Sequence, residues 1–386
     1  MTHATAVNTT ERRRFRRAAW QQRRTDYALL VVVLMLLGVG LLMVYSATYS
    51  LGYYNFGDST FYLKRQALWA LVGLTAMTLA WRIDYRVWQR YTIPFMAGTL
   101  LMLVVLLILG RSRFGATRWL LNGSVQPSEL AKLTVILYIA HWASSKGERI
   151  RDVRVGLIPF AVLVGIVCGL ILLQPDFSTS LLIGATAGIM FFIAGADLKQ
   201  FLSGGAIAAA TLYMVATRAG YRSARIQAFK DPFAYADSVG YQISQTLIAL
   251  ASGGIFGQGL GTSRGDVGTL PAGHTDVIFA ILGQELGLVA GLFVLGLFLF
   301  FGYRGYRIAA TAPDGFGALL ACGITTWILL QAAVNVAVVT NTVPFTGIPL
   351  PFISFGGSAL VTALTGVGLL LSVSRCEAVH EEEARE

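Results

Sequence analysis

The chain has 386 residues, 55% of them hydrophobic and only 13% charged, with a mean hydropathy of +0.64. Soluble domains carry roughly 25% charged residues, so this deficit, together with apolar runs of about 20 residues, excludes an ordinary soluble domain and defines an integral membrane protein. The net charge of +10 is unevenly spread.

The N-terminal tail, residues 1–26, carries Arg12, Arg13, Arg14, Arg16, Arg17, Arg23 and Arg24. So dense a cluster beside a first apolar run reads as a cytoplasmic topology anchor rather than a nucleic-acid site. Anionic lipid heads would attract it further, with Phe15 and Trp20 entering the interface. The first apolar run is too long for a cleavable signal peptide, and no small-residue cleavage site clearly follows it.

Ten candidate spans follow, at residues 27–49, 66–83, 91–109, 127–142, 155–173, 178–194, 201–217, 277–301, 316–339 and 352–373. The expected fold is therefore an all-α bundle of about ten transmembrane helices, a single membrane domain over residues 27–373. Helices are required because backbone groups in lipid must pair within their own segment, and the alternation of barrel strands is absent. Arg82, Arg86, Arg90, Lys146, Arg149, Arg151, Arg154, Lys199, Arg304 and Arg307 all fall in connections on the N-terminal side of the membrane. The positive-inside rule then places both termini in the cytoplasm. Residues 374–386 form the cytoplasmic tail, whose stretch 377–386 is short, acidic and expected to be disordered. Cys168 and Cys322 lie inside apolar runs and Cys376 follows the last one, so no disulfide frame or metal cluster is spelled out.

Two external connections break the charge rule. The first holds Arg111, Arg113 and Arg118; the second, the long loop 218–276, holds Arg218, Arg222, Arg225, Lys230 and Arg264. Long loops are exempt from the rule, but the shorter loop is not. Guanidinium groups at an outer surface suit phosphate or pyrophosphate, which they grip in pairs; snorkelling to lipid phosphates is the plainer alternative.

Several motifs lie at span ends. Gln126-Pro127-Ser128-Glu129-Leu130-Ala131-Lys132 opens the fourth span, with Pro127 suited to a first helical turn. Glu129 and Lys132 share a helix face and read first as a structural ion pair. Asp176, in the turn 174–177, reads as a helix cap, with a substrate or metal role as the alternative. Residues 243–251 predict a short amphipathic helix, followed by Gly253, Gly254, Gly257, Gly259 and Gly261. That glycine run is either a phosphate cradle or a flexible connector, and its spacing matches no nucleotide-binding fingerprint. Ser358, in the Gly-Gly-Ser element before the last span, is a candidate ligand donor alongside nearby free amides. Finally, Asp276 closes the longest polar stretch where an apolar run begins. A carboxylate in that position is costly to bury, which marks it as a chemical group.

Jointly and in order, MVYSA (43–47), FGATRWL (114–120), QPSELAK (126–132), QPDFSTS (174–180), GYQISQ (240–245), SGGIFGQGLG (252–261), HTDVIFAILGQELG (274–287) and PLPFISFGGS (349–358) resemble the shape, elongation, division and sporulation (SEDS) proteins, which include RodA and FtsW. The resemblance spans nearly the whole chain. It implies ten spans with a large external loop between the seventh and eighth, and polymerisation of the lipid-linked peptidoglycan precursor lipid II beside a class B penicillin-binding protein. It also implies that Asp276 is the catalytic aspartate of the HTD segment, next to His274, and that Glu129 and Lys132 are the family's ion pair. This chain has Gln284 where members often carry a second glutamate, leaving Glu285; the ILGQELG context is closer to FtsW than to RodA.

On this reading Asp276 would act as general base on the acceptor 4-hydroxyl. Arg111, Arg113 and Arg118, helped by Arg222, Arg225 and Lys230, would hold the departing pyrophosphate. No cofactor is required by the sequence. A divalent cation, Mg or Mn, could share the pyrophosphate, with Asp176, Asp276 or Glu285 as ligands. From the residues alone, a lipid flippase and a non-catalytic scaffold of wall synthesis remain open alternatives.

Overall fold

The computed structural model describes residues 20–22, 25–109, 125–218, 227–238, 240–262 and 275–378. Among them the chain forms α1 (Tyr27–Phe56), α2 (Phe61–Arg82), the short α3 (Tyr85–Arg90), α4 (Thr92–Leu109), α5 (Pro127–Lys146), α6 (Ile158–Leu173), α7 (Phe177–Ile193), α8 (Leu198–Arg218), α9 (Tyr241–Ser252), α10 (Ile278–Thr311), α11 (Gly315–Val339) and α12 (Gly357–Ser374). Five of the described helices, counting α6 with the π-turn that leads into it, are long and apolar enough to cross a membrane, and α4 and α7 are shorter apolar helices. α2 and α5 are more polar because they carry ionisable residues inward or at their ends.

The all-helical expectation holds with one small exception at the chain ends. Trp20–Gln22 (β1) pairs antiparallel with Cys376–Ala378 (β2), Trp20 opposite Ala378. The expectation that residues 377–386 are disordered is thereby corrected for Glu377 and Ala378. Ser374 closes α12 and residues 376–378 are paired, because main-chain hydrogen bonds to the other chain end order a strand that its composition does not. Residues 379–386 lie outside the described residues.

Boundaries also move. α1 continues past residue 49 to Phe56 and stops at Gly57, whose φ of 69° turns the chain and whose amide bonds the Tyr53 carbonyl. In the turn that follows, Asp58 accepts from Lys64 Nζ at 2.8 Å and from the Thr60 amide and hydroxyl. Those bonds, the Lys64 one above all, hold its carboxyl down at about 2. The last helix begins at Gly357 rather than residue 352. Phe352 has a φ of 66°, and Ser354 bonds across to other segments, so an apolar stretch that hydropathy joins to the helix is instead a pinned turn.

α5, α11 and α12 form the centre. α5 buries most of its length, including Glu129 and Lys132, and α11 buries Trp327, Gln331 and Asn335. α2 lies closely along α12, where Gly73 receives the Leu364 side chain and Gly368 lies against Met77. Small residues allow this approach in a medium where apolar contact alone drives little association. α8, by contrast, exposes most of its described side chains.

One end of the bundle is fastened by charge. Asp26 caps α1 through the Leu29 amide at 3.0 Å, and Arg304 of α10 reaches it at 2.6 Å. The Asp26 amide donates to Ser374 Oγ. Beside these, Asp314 caps α11 and accepts from Tyr85 at 2.6 Å and from Arg86 at 3.2 Å. Burial, and then the bond to Asp314, pushes the Tyr85 phenol far above its usual range. Asp314 caps one end of the unbroken α11, while Asn335, about 30 Å along it at ~1.5 Å per residue, bonds the Asp276 carbonyl, so Asp276 stands at the opposite end of the bundle.

α10 is broken at Gly287, whose φ of 76° and ψ of −174° are not helical. The break frees backbone groups, and the glycine-rich segment after α9, itself largely exposed, takes them. Gln258 and Gly259 amides donate to the Gln284 and Glu285 carbonyls at 3.0 and 2.9 Å, while the Leu288 and Val289 amides donate to Gly254 and Ile255 at 3.0 and 3.2 Å. A methyl group on Gly257 would collide with the Glu285 carbonyl. The run thus serves neither of its expected roles: its glycines let one backbone dock on another.

Candidate functional site

Thr275 to Val277 form a turn, and α10 starts at Ile278, so Asp276 sits on the helix shoulder and is half-buried. Its carboxylate accepts from the Thr275 hydroxyl. Gly347, with a φ of 70°, lies alongside: a Cβ there would stand 3.2 Å from Asp276 Oδ2. A side chain at Gly347 would crowd that face of the carboxylate.

The main chain around Asp276 is held by neutral donors. Asn335 Nδ2 donates to the Asp276 carbonyl at 2.6 Å and to the Ile348 carbonyl at 2.8 Å. Ser354 Oγ donates to the Thr275 carbonyl and accepts from the Leu350 amide. From α2, Gln66 Nε2 reaches the Ser354 carbonyl at 3.2 Å, and the Gly356 amide returns a bond to Gln66 Oε1. The segment from Gly347 to Gly356 is therefore one wall of the Asp276 site.

Beneath it lies the ion pair. Lys132 Nζ is 2.7 Å from Glu129 Oε2, with both side chains almost wholly buried. Lys132 also donates to Gln331 Oε1 at 3.0 Å and lies 5.3 Å from the centroid of the Trp327 ring. Trp327 Nε1 shares the same acceptor at 2.9 Å, and Gln331 Nε2 donates to the Pro349 carbonyl at 2.9 Å. The pair is thus enclosed by protein partners and tied upward to the wall.

A second cluster adjoins the start of α5. Asp176 is buried and accepts from the Thr179 amide at 3.2 Å, capping α7, with Gln126 Nε2 at 3.4 Å. Ser358 Oγ accepts from the Gln126 amide at 3.0 Å. Ser178 Oγ donates to the Thr346 carbonyl at 2.5 Å, which joins α7 to the same wall. The Gly356 amide, expected to be free for a ligand, is taken by Gln66. Glu285 is fully buried and accepts from Ser46 of α1 at 2.7 Å, well below Asp276. Among the described residues no group of three or more His, Cys, Asp or Glu side chains gathers to hold a metal ion. Asp176 and Glu285 each serve a protein partner instead.

Lys230 is exposed on a helical turn at residues 227–230. Asn341 ties that turn to the end of α11 through the Phe229 carbonyl at 3.2 Å. Arg111, Arg113, Arg118, Arg222, Arg225 and His274 lie outside the described residues. The reading of the sequence missed Gln331 and Asn335. Their signal was present: two amides four residues apart in an otherwise apolar run fall on one helix face, and polar groups there face the interior.

Fold and site together define a multi-pass helical membrane protein with an acidic group set at the mouth of a broken helix. Residues 27–378 match the cell cycle protein family of FtsW, RodA and SpoVE, and the chain belongs to that family. It is 40% identical to the "Probable peptidoglycan glycosyltransferase FtsW" of Trichlorobacter lovleyi, covering 90% of this chain and 93% of that one. It is also 40% identical to stage V sporulation protein E of Bacillus subtilis, over 91% of this chain and 97% of the relative. Among solved structures it resembles a peptidoglycan synthase complex described as coordinating polymerization and crosslinking, with a TM-score of 0.75 and 27% identity over 91% of this chain and 98% of that chain. The rod shape determining protein RodA of Thermus thermophilus is similar with a TM-score of 0.66 and 26% identity, over 91% of this chain and 97% of that chain.

Proposed function

We propose that the chain is a peptidoglycan glycosyltransferase that polymerises lipid II at the outer face of the bacterial cytoplasmic membrane, with Asp276 as its general base. Both chain ends then lie in the cytoplasm. The observation that carries this is the placement of Asp276: a half-buried carboxylate set against a glycine, at the end of the bundle opposite the charge-fastened termini.

In the proposed step, the 4-hydroxyl of one lipid-linked sugar attacks the anomeric carbon of another. A carbon–oxygen bond forms to the acceptor, the bond to pyrophosphate breaks, and the hydroxyl proton passes to Asp276. Displacement from the opposite face inverts the anomeric centre, so an α-linked donor gives a β-linked strand. Pyrophosphate needs no acid to leave, and one base suffices. Arg111, Arg113 and Arg118, with Arg222, Arg225, Lys230 and His274, supply positive charge for the leaving group from the two loops that break the charge rule. Ser358 and Asp176 shape the wall of the site through Gln126. A crosslinking transpeptidase of the class B penicillin-binding type is the proposed membrane partner, in line with the synthase complex this chain resembles.

The test is polymerisation of lipid II by purified Asp276→Asn protein. General-base assistance contributes about 10²–10⁴-fold, so a loss of that size with an unchanged thermal unfolding midpoint is expected. Undiminished polymer would remove Asp276 from the role. Movement of lipid II between leaflets without polymer would instead favour a flippase.

A further inference from the structure

Gln331 and Asn335 stand one turn apart on α11, both buried, and each divides its bonds between two parts of the protein. Gln331 accepts from Lys132 and Trp327 and donates to the Pro349 carbonyl. Asn335 donates to the Ile348 carbonyl and to the Asp276 carbonyl. Pro349 and Ile348 are consecutive, so both side chains grip one short stretch of the wall.

The geometry is restrictive. A single Nδ2 group bridges Ile348 and Asp276, and its two N–H bonds diverge at a fixed angle. Asp276 cannot shift against the wall without losing one of them. Its carboxylate faces Gly347, the residue before Ile348, so the same bridge sets the spacing between base and wall. Among the described residues Asn335 Oδ1 is buried without a hydrogen-bond partner, while Nδ2 makes both bonds. Below, Gln331 transmits the position of the Glu129–Lys132 pair, itself fixed by burial and by Trp327, to the adjoining carbonyl.

We propose that Gln331 and Asn335 are positioning residues: a relay of amides that carries the rigidity of the buried ion pair to the main chain of Asp276. Neither touches the reacting atoms. Both act on the placement of the base, and the inference rests on Asp276 being that base. Misplacing a reacting group by about 1 Å can cost ~100-fold in rate, while substrate affinity, which depends on other contacts, is spared.

The experiment measures kcat and KM for lipid II polymerisation, and the unfolding midpoint, on the full chain in lipid nanodiscs. Asn335→Leu keeps the shape and removes both donors. The expected result is a fall in kcat of about 10–100-fold, the range typical of supporting residues, with KM changed less than about twofold and folded protein retained. Gln331→Met is expected to give a smaller loss, and the pair of changes less than the product of the two, since they act in series. In an Asp276→Asn background, Asn335→Leu is expected to add nothing. An unimpaired kcat in Asn335→Leu beside an inactive Asp276→Asn would overturn the relay and leave the base in place. Full activity of Asp276→Asn would overturn the base itself. If Asn335→Leu does not accumulate, Asn335→Ser and Gln331→Met decide, and normal kcat in both overturns the proposal.

Discussion

The chain termini and the main chain of Asp276 are held by different chemistry. At the end that holds the termini, carboxylates meet cations and phenols: Asp26 with Arg304, Asp314 with Arg86 and Tyr85. At the end that holds Asp276, carbonyls meet neutral amides and hydroxyls from Asn335, Gln331, Gln66 and Ser354. Neutral donors fix the main chain that carries Asp276. On this comparison the termini end is an anchor and the Asp276 end is a preorganised site. The largest expected effect, the ~10²–10⁴-fold loss of rate in Asp276→Asn without loss of stability, is the sharpest test of that division. The amide relay on α11 comes next.

Between the ends lies the Glu129–Lys132 pair, which belongs to neither pattern: it is charged, yet almost wholly buried. Lys132→Met strands the Glu129 carboxylate and removes the donor to Gln331. Leaving one partner of a buried pair uncompensated costs about 3–5 kcal/mol, so a steep fall in the unfolding midpoint is expected, with activity lost in proportion to folded protein and beyond. Adding Glu129→Gln should recover much of the stability, because no buried charge then lacks a partner. Recovery of stability without recovery of rate would tie the pair to the site through Gln331. Recovery of both would make it a packing device alone.

The glycine segment offers a further contrast, since it joins the outer half of α10, buried on nearly every side, to an inner half that exposes Leu288, Leu292 and Leu299. Gly257→Val places a branched side chain against the Glu285 carbonyl at a position whose φ is 83°. Strain and overpacking each cost about 1–3 kcal/mol. A midpoint drop of that order is expected, along with faster proteolysis of the segment 253–261. A variant as stable as the parent would mean that the segment is a connector after all.

The sequence made some of this plain and hid the rest for physical reasons. Apolar runs mark helices, and Asp176, Pro127 and the i, i+3 spacing of Glu129 and Lys132 carry local signals that a single helix turn decides. Asp276 is conspicuous because a carboxylate at a membrane mouth has few structural uses. What the chain does not display is pairing at long range. The break at Gly287 is invisible in an apolar run, because glycine is common in membrane helices and only the docked segment 254–259 makes the break affordable. The Phe352–Gly356 turn hides for the same reason: its apolar side chains read as helix, while Ser354 and Gln66, far apart in sequence, hold it open. Gln331 and Asn335 were legible as an inward-facing pair, but nothing local says that one faces Lys132 and the other Asp276.

The smallest effect is expected where the comparison puts the anchor. Arg304 approaches Asp26 with Nε at 2.9 Å from Oδ2 and a second nitrogen at 2.6 Å, and Asp26 also caps α1. Arg304→Met leaves that cap in place and removes the charge across from it. Both side chains are mostly covered, Arg304 at 22% and Asp26 at 8% exposure, so loss of the guanidinium costs about 1–3 kcal/mol. The expected outcome is a fall in the unfolding midpoint of that order and a polymerisation rate per folded molecule equal to the parent's. A rate that falls well beyond the loss of folded protein would contradict the division between ends. It would require that α10, despite its break at Gly287, carries strain from the anchor to Asp276.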